Sequence, residues 1–189
     1  MQQDSKECRY PETSGSTCTK TAEQDVGPAT AHEQRQCRNA LGRFTTGVCI
    51  VSAYDAVRGP IAMTINSFSS LSLDPCLIQW NIKKKSLCYS LFSQLHSYAI
   101  SVLSEKQSDI SSRYSKAGDH VMNPDDYSIS ATGLPYVKGC LVHFECRNWR
   151  LIDAGDHKIV VATVDKFSTG SEERPLVFFG GKYWPLHID

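Results

Sequence analysis

Residues 62–72 read AMTINSFSSLS and run on into LDPCLIQWNI at 73–82. Within nine residues this stretch places Thr64, Asn66, Ser67, Ser69, Ser70 and Ser72 between apolar runs. A buried polar group without a partner costs roughly 1–3 kcal/mol, so these side chains need partners from the chain or from a ligand. The flanking runs are short, apolar and bounded by breakers, which makes them strands. Two readings of the polar stretch stay open. One is an ordinary turn between strands, whose chemistry favours the same residue types. The other is the lining of a site for a planar heterocycle with donor and acceptor edges, such as a flavin.

Working outward, GVCIVSAY (47–54) is a continuous apolar and β-branched run, read as a buried strand. DAVRGP breaks it and IAMTI resumes, a hairpin with an exposed turn. CLIQWNI is the next strand. In SLCYSLFSQL, Leu87, Leu91 and Leu95 share a helical face, with Ser86 as a candidate N-cap. YAISVL is another strand, and Ser104 with Gln107 forms a capping-box signature that opens a helix through Arg113. CLVHFECR alternates apolar Cys140, Val142, Phe144 and Cys146 with Leu141, His143, Glu145 and Arg147. Two long strands joined at DAGD follow, and PLVFFGGKYW closes the chain. Many strands with few, short helices indicate a mainly β barrel.

Residues 1–32 have no apolar period and read as a flexible N-terminal tail, leaving 33–189 as one domain. Glu33, Cys37, Leu41 and Phe44 then mark a helix face expected to pack on that domain, with Gly47 as its stop. Lys plus Arg and Asp plus Glu both number 20, so no broad electrostatic footprint for nucleic acid or an anionic membrane exists. No apolar run approaches the roughly 20 residues that span a bilayer. The N-terminus lacks the apolar centre of a signal peptide, and a cytoplasmic protein is expected. The eight cysteines show no C-x-x-C or paired zinc-ligand spacing; they are expected to be reduced and structural, with no metal. Neither G-x-G-x-x-G nor a P-loop nor a G-x-S-x-G elbow occurs.

KKKS (83–86) precedes an expected helix start, where cations and backbone amides suit a phosphate; a solvated basic turn is the plainer alternative. GDH occurs at 118–120, read as loop, and at 155–157, where His157 opens a strand and can reach a pocket rim.

Taken together, CRNALGRFTTGVCIVSAYD, GPIAMTINSFSSLSLDPCLIQWNI, YAISVLSEKQSDISSRYS, DAGDHKIVVATV and RPLVFFGGKYWPL resemble the flavin reductase-like family, in order, from about Cys37 to Leu186. The resemblance implies an FMN-binding split barrel, an antiparallel Greek-key barrel that forms a homodimer. It implies hydride transfer from NADH or NADPH to FMN or FAD, with reduced flavin supplied to a separate monooxygenase. By the same resemblance, Pro60, Ile61, Ala62, Met63 and Thr64, with Asn66 and Ser67, line the isoalloxazine. Asn81, Ile82 and Lys83, with Ser86, Leu87 and Cys88, run toward the ribityl and phosphate, and Arg113 and Tyr114 approach the flavin. His157 and the segment Tyr183, Trp184, Pro185 and Leu186 belong to the nicotinamide side. The cofactors carry the chemistry, so no catalytic acid or base is assigned, and His157 is a positioning residue. An Arg is common in the family where this chain has Gly180, and a hydroxyl where it has Cys88. Two rival functions remain on this reading: a protein that keeps FMN and reduces a ferric chelate or corrinoid, and a flavin-binding module without turnover.

Overall fold

The computed structural model describes residues 29–187. Cys8, Cys18 and most of the expected tail lie outside the described residues. Thr30 closes a capping box with Glu33 and starts α1 (Ala31–Leu41), inside the stretch expected to be tail. The helix ends at Gly42 rather than Gly47: beyond it the Arg43 and Phe44 N–H groups bond back three residues, to Ala40 O and Leu41 O, in place of four. None of its residues is buried. The expected packing on the domain is therefore wrong: the period marks an apolar face but not what covers it, and this chain leaves it bare.

The chain then forms β1 (Thr46–Gly47), β2 (Cys49–Asp55), β3 (Gly59–Ile65), β4 (Ser69–Leu73) and β5 (Cys76–Lys83). After α2 (Tyr89–Gln94) and β6 (Ser97–Val102), a single 3-10 turn leads into α3 (Ser108–Tyr114). The short β7 (Tyr127–Ile129) and β8 (Pro135–Val137) precede the long β9 (Val142–Ala154) and β10 (His157–Thr169). A last hairpin pairs β11 (Val177–Phe179) with β12 (Lys182–Trp184). Its turn residues Gly180 and Gly181 both have positive φ, a geometry that two-residue hairpins favour and side chains resist. That is a local reason for glycine at position 180.

The main sheet has the order β3-β2-β6-β9-β10-β5-β4, and all its pairings are antiparallel. Laid flat, its outer strands would stand about 29 Å apart at the usual strand spacing of ~4.8 Å. Yet β3 and β4 occupy opposite edges and only residues 66–68 join them. Extended chain advances ~3.6 Å per residue, so the link reaches about 14 Å at most. The sheet must curl until its edges meet, and no β3–β4 ladder closes the gap: a split barrel. The polar stretch of the sequence sits at this seam.

The strand β2 is buried on both faces along residues 49–53. Cys49, Val51 and Ala53 enter one core with Trp80, Phe92, Tyr98 and Ile100. Val48 and Ile50 enter a second core with Leu103, Tyr114, Met122 and Val137. Two corrections concern α2. Ser86 does not cap it; the cap position is Cys88, without a side-chain bond, and Ser86 Oγ instead accepts from the Cys88 N–H. The helix buries Phe92 fully; of the Leu87, Leu91 and Leu95 row, Leu91 and Leu95 are half-buried against the same core and Leu87 is exposed. The expected capping box at Ser104 and Gln107 is present.

Trp80, Phe92 and Tyr98 meet edge-to-face in pairs, with centroids 5.7–6.0 Å apart, and all three are fully buried. The Trp80 indole N–H donates to Tyr98 Oη at 3.0 Å. Replacing Tyr98 with Phe orphans that N–H and should cost about 1–3 kcal/mol. Urea unfolding followed by tryptophan fluorescence reads this as a lower midpoint, and an unchanged midpoint would show that the bond contributes nothing.

Candidate functional site

The seam opens into a cavity of about 760 Å³, within the range of small-molecule sites. One wall is the end of β3 and the link beyond it, Met63 to Ser67. Opposite stand Asn81 and Lys83 from β5, with Ala154, His157 and Ile159 from the β9–β10 hairpin. Lys85, Ser86 and Leu87 come from the turn before α2. Tyr114 to Ala117 and His120 come from the end of α3 and its following loop.

The polar stretch divides its labour. Thr64 Oγ1 donates to Ser111 O at 2.7 Å, and Ser67 Oγ accepts across the seam from the Asn81 N–H at 3.0 Å. Ser69, Ser70 and Ser72 belong to the outer strand β4 and do not line the cavity. Thr64 and Ser67 thus find partners within the chain, and together with Asn66 they line the cavity.

Charge is concentrated on one rim. Lys84 pairs with Asp153 at 2.8 Å, and Lys83 lies 3.9 Å from Asp156. Lys85 and Lys116 have no carboxylate partner among the described residues, so the cavity carries uncompensated positive charge. The His157 Nδ1–H donates to Asp156 Oδ1 at 2.7 Å, because a carboxylate can only accept. That bond, ahead of the charge of Lys83, holds the Asp156 carboxyl below its ordinary range.

Among the residues assigned by resemblance, Met63, Thr64, Asn66, Ser67, Asn81, Lys83, Ser86, Leu87, Tyr114 and His157 line this one cavity. Ile61, Ala62, Ile82 and Cys88 are buried in the cores beneath it. Pro60 gives its carbonyl to the Met122 N–H. Arg113 does not line the cavity; its guanidinium pairs with the Asp126 carboxylate. Tyr183, Trp184 and Pro185 line a separate cavity of about 300 Å³ beside Lys106, and Leu186 O accepts from Arg174. Within this chain they are not brought to His157. A bridge does connect the two cavities: Tyr183 Oη lies 2.7 Å from Ser111 Oγ, and the Ser111 carbonyl accepts from Thr64. Sequence reasoning missed Lys85, Lys116 and His120 as lining residues. The KKK run and the first GDH were visible signals; what was missing was the fold that aims them at one place.

A family model described as a flavin reductase like domain matches residues 41–187. The FMN reductase (NADH) SmoA of Agrobacterium fabrum is 43% identical over 149 residues, covering 79% of this chain and 84% of that protein. The reductase subunit HsaB of a flavin-dependent monooxygenase in Rhodococcus jostii is 31% identical, covering 85% of this chain and 82% of that one. The chain spans 45% of a longer probable flavin reductase of Rhizobium meliloti, at 37% identity. Among solved structures, the NADH:FAD oxidoreductase SgcE6 of Streptomyces globisporus, in complex with NAD and FAD fragments, superposes with a TM-score of 0.79 at 27% identity, covering 87% of this chain and 99% of that one.

Tyr114 anchors the cavity floor. Its hydroxyl donates to Asp126 Oδ2 at 2.6 Å and accepts from the Asn123 N–H at 2.9 Å. Burial first, then the Asp126 carboxylate, push the phenol up to about 12 from its ordinary 10. A raised folded-state value for an acid stabilises the fold below the unfolded value. This contribution is full below pH ~10 and is lost as pH rises toward 12. Tyr114→Phe should therefore lower stability at neutral pH by about 1–3 kcal/mol and flatten its decline between pH 10 and 12. Thermal melts across that range measure both, and a variant that declines as steeply as the parent would contradict the assignment.

Proposed function

The chain belongs to the flavin reductase-like family, and from that membership we propose that it is an NAD(P)H:flavin oxidoreductase supplying reduced flavin to a separate monooxygenase. The observation that carries the reading is the single cavity at the barrel seam, polar along β3 and cationic at one rim. Its donor set suits a flavin. Asn66 and Asn81 offer amides, and the barrel edge offers backbone groups to a heterocycle. Lys85 and Lys116, unpaired among the described residues, suit a phosphate monoester or diphosphate.

The bound flavin supplies the ring that accepts hydride from the nicotinamide. The protein's part is placement. β3 and β5 form two walls that fix one cofactor plane between them, and the cores below keep water from that side. His157, its Nδ1 proton committed to Asp156, keeps Nε2 for the nicotinamide nucleotide. Similarity to SmoA favours FMN and NADH as the working pair. Anaerobic stopped-flow absorbance with each nucleotide and each flavin tests the reading. Bleaching of flavin in excess over protein is the expected result. Bleaching that stops at one flavin per chain would mean a held cofactor and another acceptor, and no bleaching with any pair would reject the enzyme.

The chain works as a homodimer. Phe44, Leu73 and Phe167 are 77%, 90% and 68% exposed, and no residue of α1 is buried. Such apolar surface on one soluble chain supports a second copy covering it. Sedimentation velocity should return twice the chain mass at micromolar concentration; a monomer there would reject this assembly.

A further inference from the structure

His120 is the one described non-glycine residue with positive φ, at 60°. That left-handed conformation costs roughly 1–2 kcal/mol for a residue with a side chain, so the surroundings must impose it. They do so from one place. Residues 120–122 run along the outer edge of β3 where a neighbouring strand would otherwise sit. The Ala62 N–H donates to His120 O at 2.8 Å, the Met122 N–H donates to Pro60 O at 2.8 Å, and Ile61 bridges Val121. The His120 ring adds a further bond to the same residue, with Nδ1 3.1 Å from Ala62 O. A carbonyl oxygen only accepts, so Nδ1 carries a proton, and the tautomer with its one proton there leaves Nε2 to accept.

The ring is half-buried and lines the main cavity. The polar side chains around it are of two kinds. Lys83, Lys85 and Lys116 only donate, whereas the hydroxyls and amides of the lining can accept as well as donate. His157, the other imidazole, stands beside Lys83 in the β5–β10 register, on the cationic side. His120 is set apart by its ring being held in place by the bond to Ala62 and by the strained backbone that carries it. A strained residue held in a cavity with one ring nitrogen pinned and the other left over is built to meet a donor. Oxidised isoalloxazine has one such N–H, at N3 of its imide.

We propose that His120 positions the flavin, its Nε2 accepting a hydrogen bond from the imide N3–H. This rests on the flavin reading of the cavity, and the test separates the two. The probes are FMN and N3-methyl-FMN, the readout quenching of flavin fluorescence on binding, with no nicotinamide present. The wild-type protein should bind the methylated flavin about tenfold more weakly, the scale of one hydrogen bond. His120→Gly accepts the positive φ and keeps the main-chain bonds to Ala62, so the loop survives. It should bind FMN about tenfold more weakly than wild type and no longer distinguish the two flavins. Equal binding of both flavins by wild type overturns the proposal without needing the variant. A variant that still prefers FMN overturns it as well, since the methyl group would then act by bulk alone. Failure of wild type to bind either flavin would overturn the flavin reading itself, and His120's part with it.

Discussion

Three residues, Asn66, Ser67 and Phe68, carry the chain from one edge of a seven-stranded sheet to the other. A link that short forces the sheet to curl, and the rest of the structure follows from the curl. Strand β2 becomes interior on both faces, sending alternate residues into two cores. The edges of β3 and β4 approach without forming a ladder, so the barrel stays split where they meet. Backbone and small polar side chains are then presented beside apolar walls, and the cavity lies there. The sheet-bridging bond from the Asn81 N–H to Ser67 Oγ shows how the link is held against β5.

The same geometry sets the electrostatics. Lysines 83–85 are adjacent in sequence, but the β9–β10 hairpin brings Asp153 and Asp156 to two of them only. Lys116 arrives from the end of α3 and joins Lys85 on the rim. A zero net charge thus coexists with a local excess of cations, and the local charge determines what the cavity attracts. The edge of β3 receives the His120–Met122 segment in place of a strand, and that substitution places an imidazole in the cavity wall.

What was legible and what was not divides by range. The hairpin of β2 and β3, the strand β5, the capping box at Ser104 and the turn at Gly155 each depend on residues within a few positions of one another. Their patterns could be read directly. The α1 face was also read correctly as a period, yet its expected packing failed because a period carries no information about the opposing surface. In α2 two of the three leucines pack on the core, but Phe92 is the residue fully buried there, since the helix is oriented by what it meets. The bond from His120 to Ala62 spans 58 positions, so the GDH triplet could mark that histidine but not where its ring would be held.

By itself the sequence determined the strand-rich class and most of the longer strands, but not β4, formed by Ser69–Leu73 inside the polar stretch, and through its ordered motifs it determined the family. These depend on short-range preferences: alternation, turn chemistry and caps. Only the tertiary structure decided that Met63–Ser67, Lys85, Lys116, His120 and His157 share one cavity, and that Tyr183–Leu186 do not. Such neighbours are created by closing the sheet on itself. That closure is a global compromise between a short link, two cores and the hydrogen bonds of the edges, and no single segment contains it.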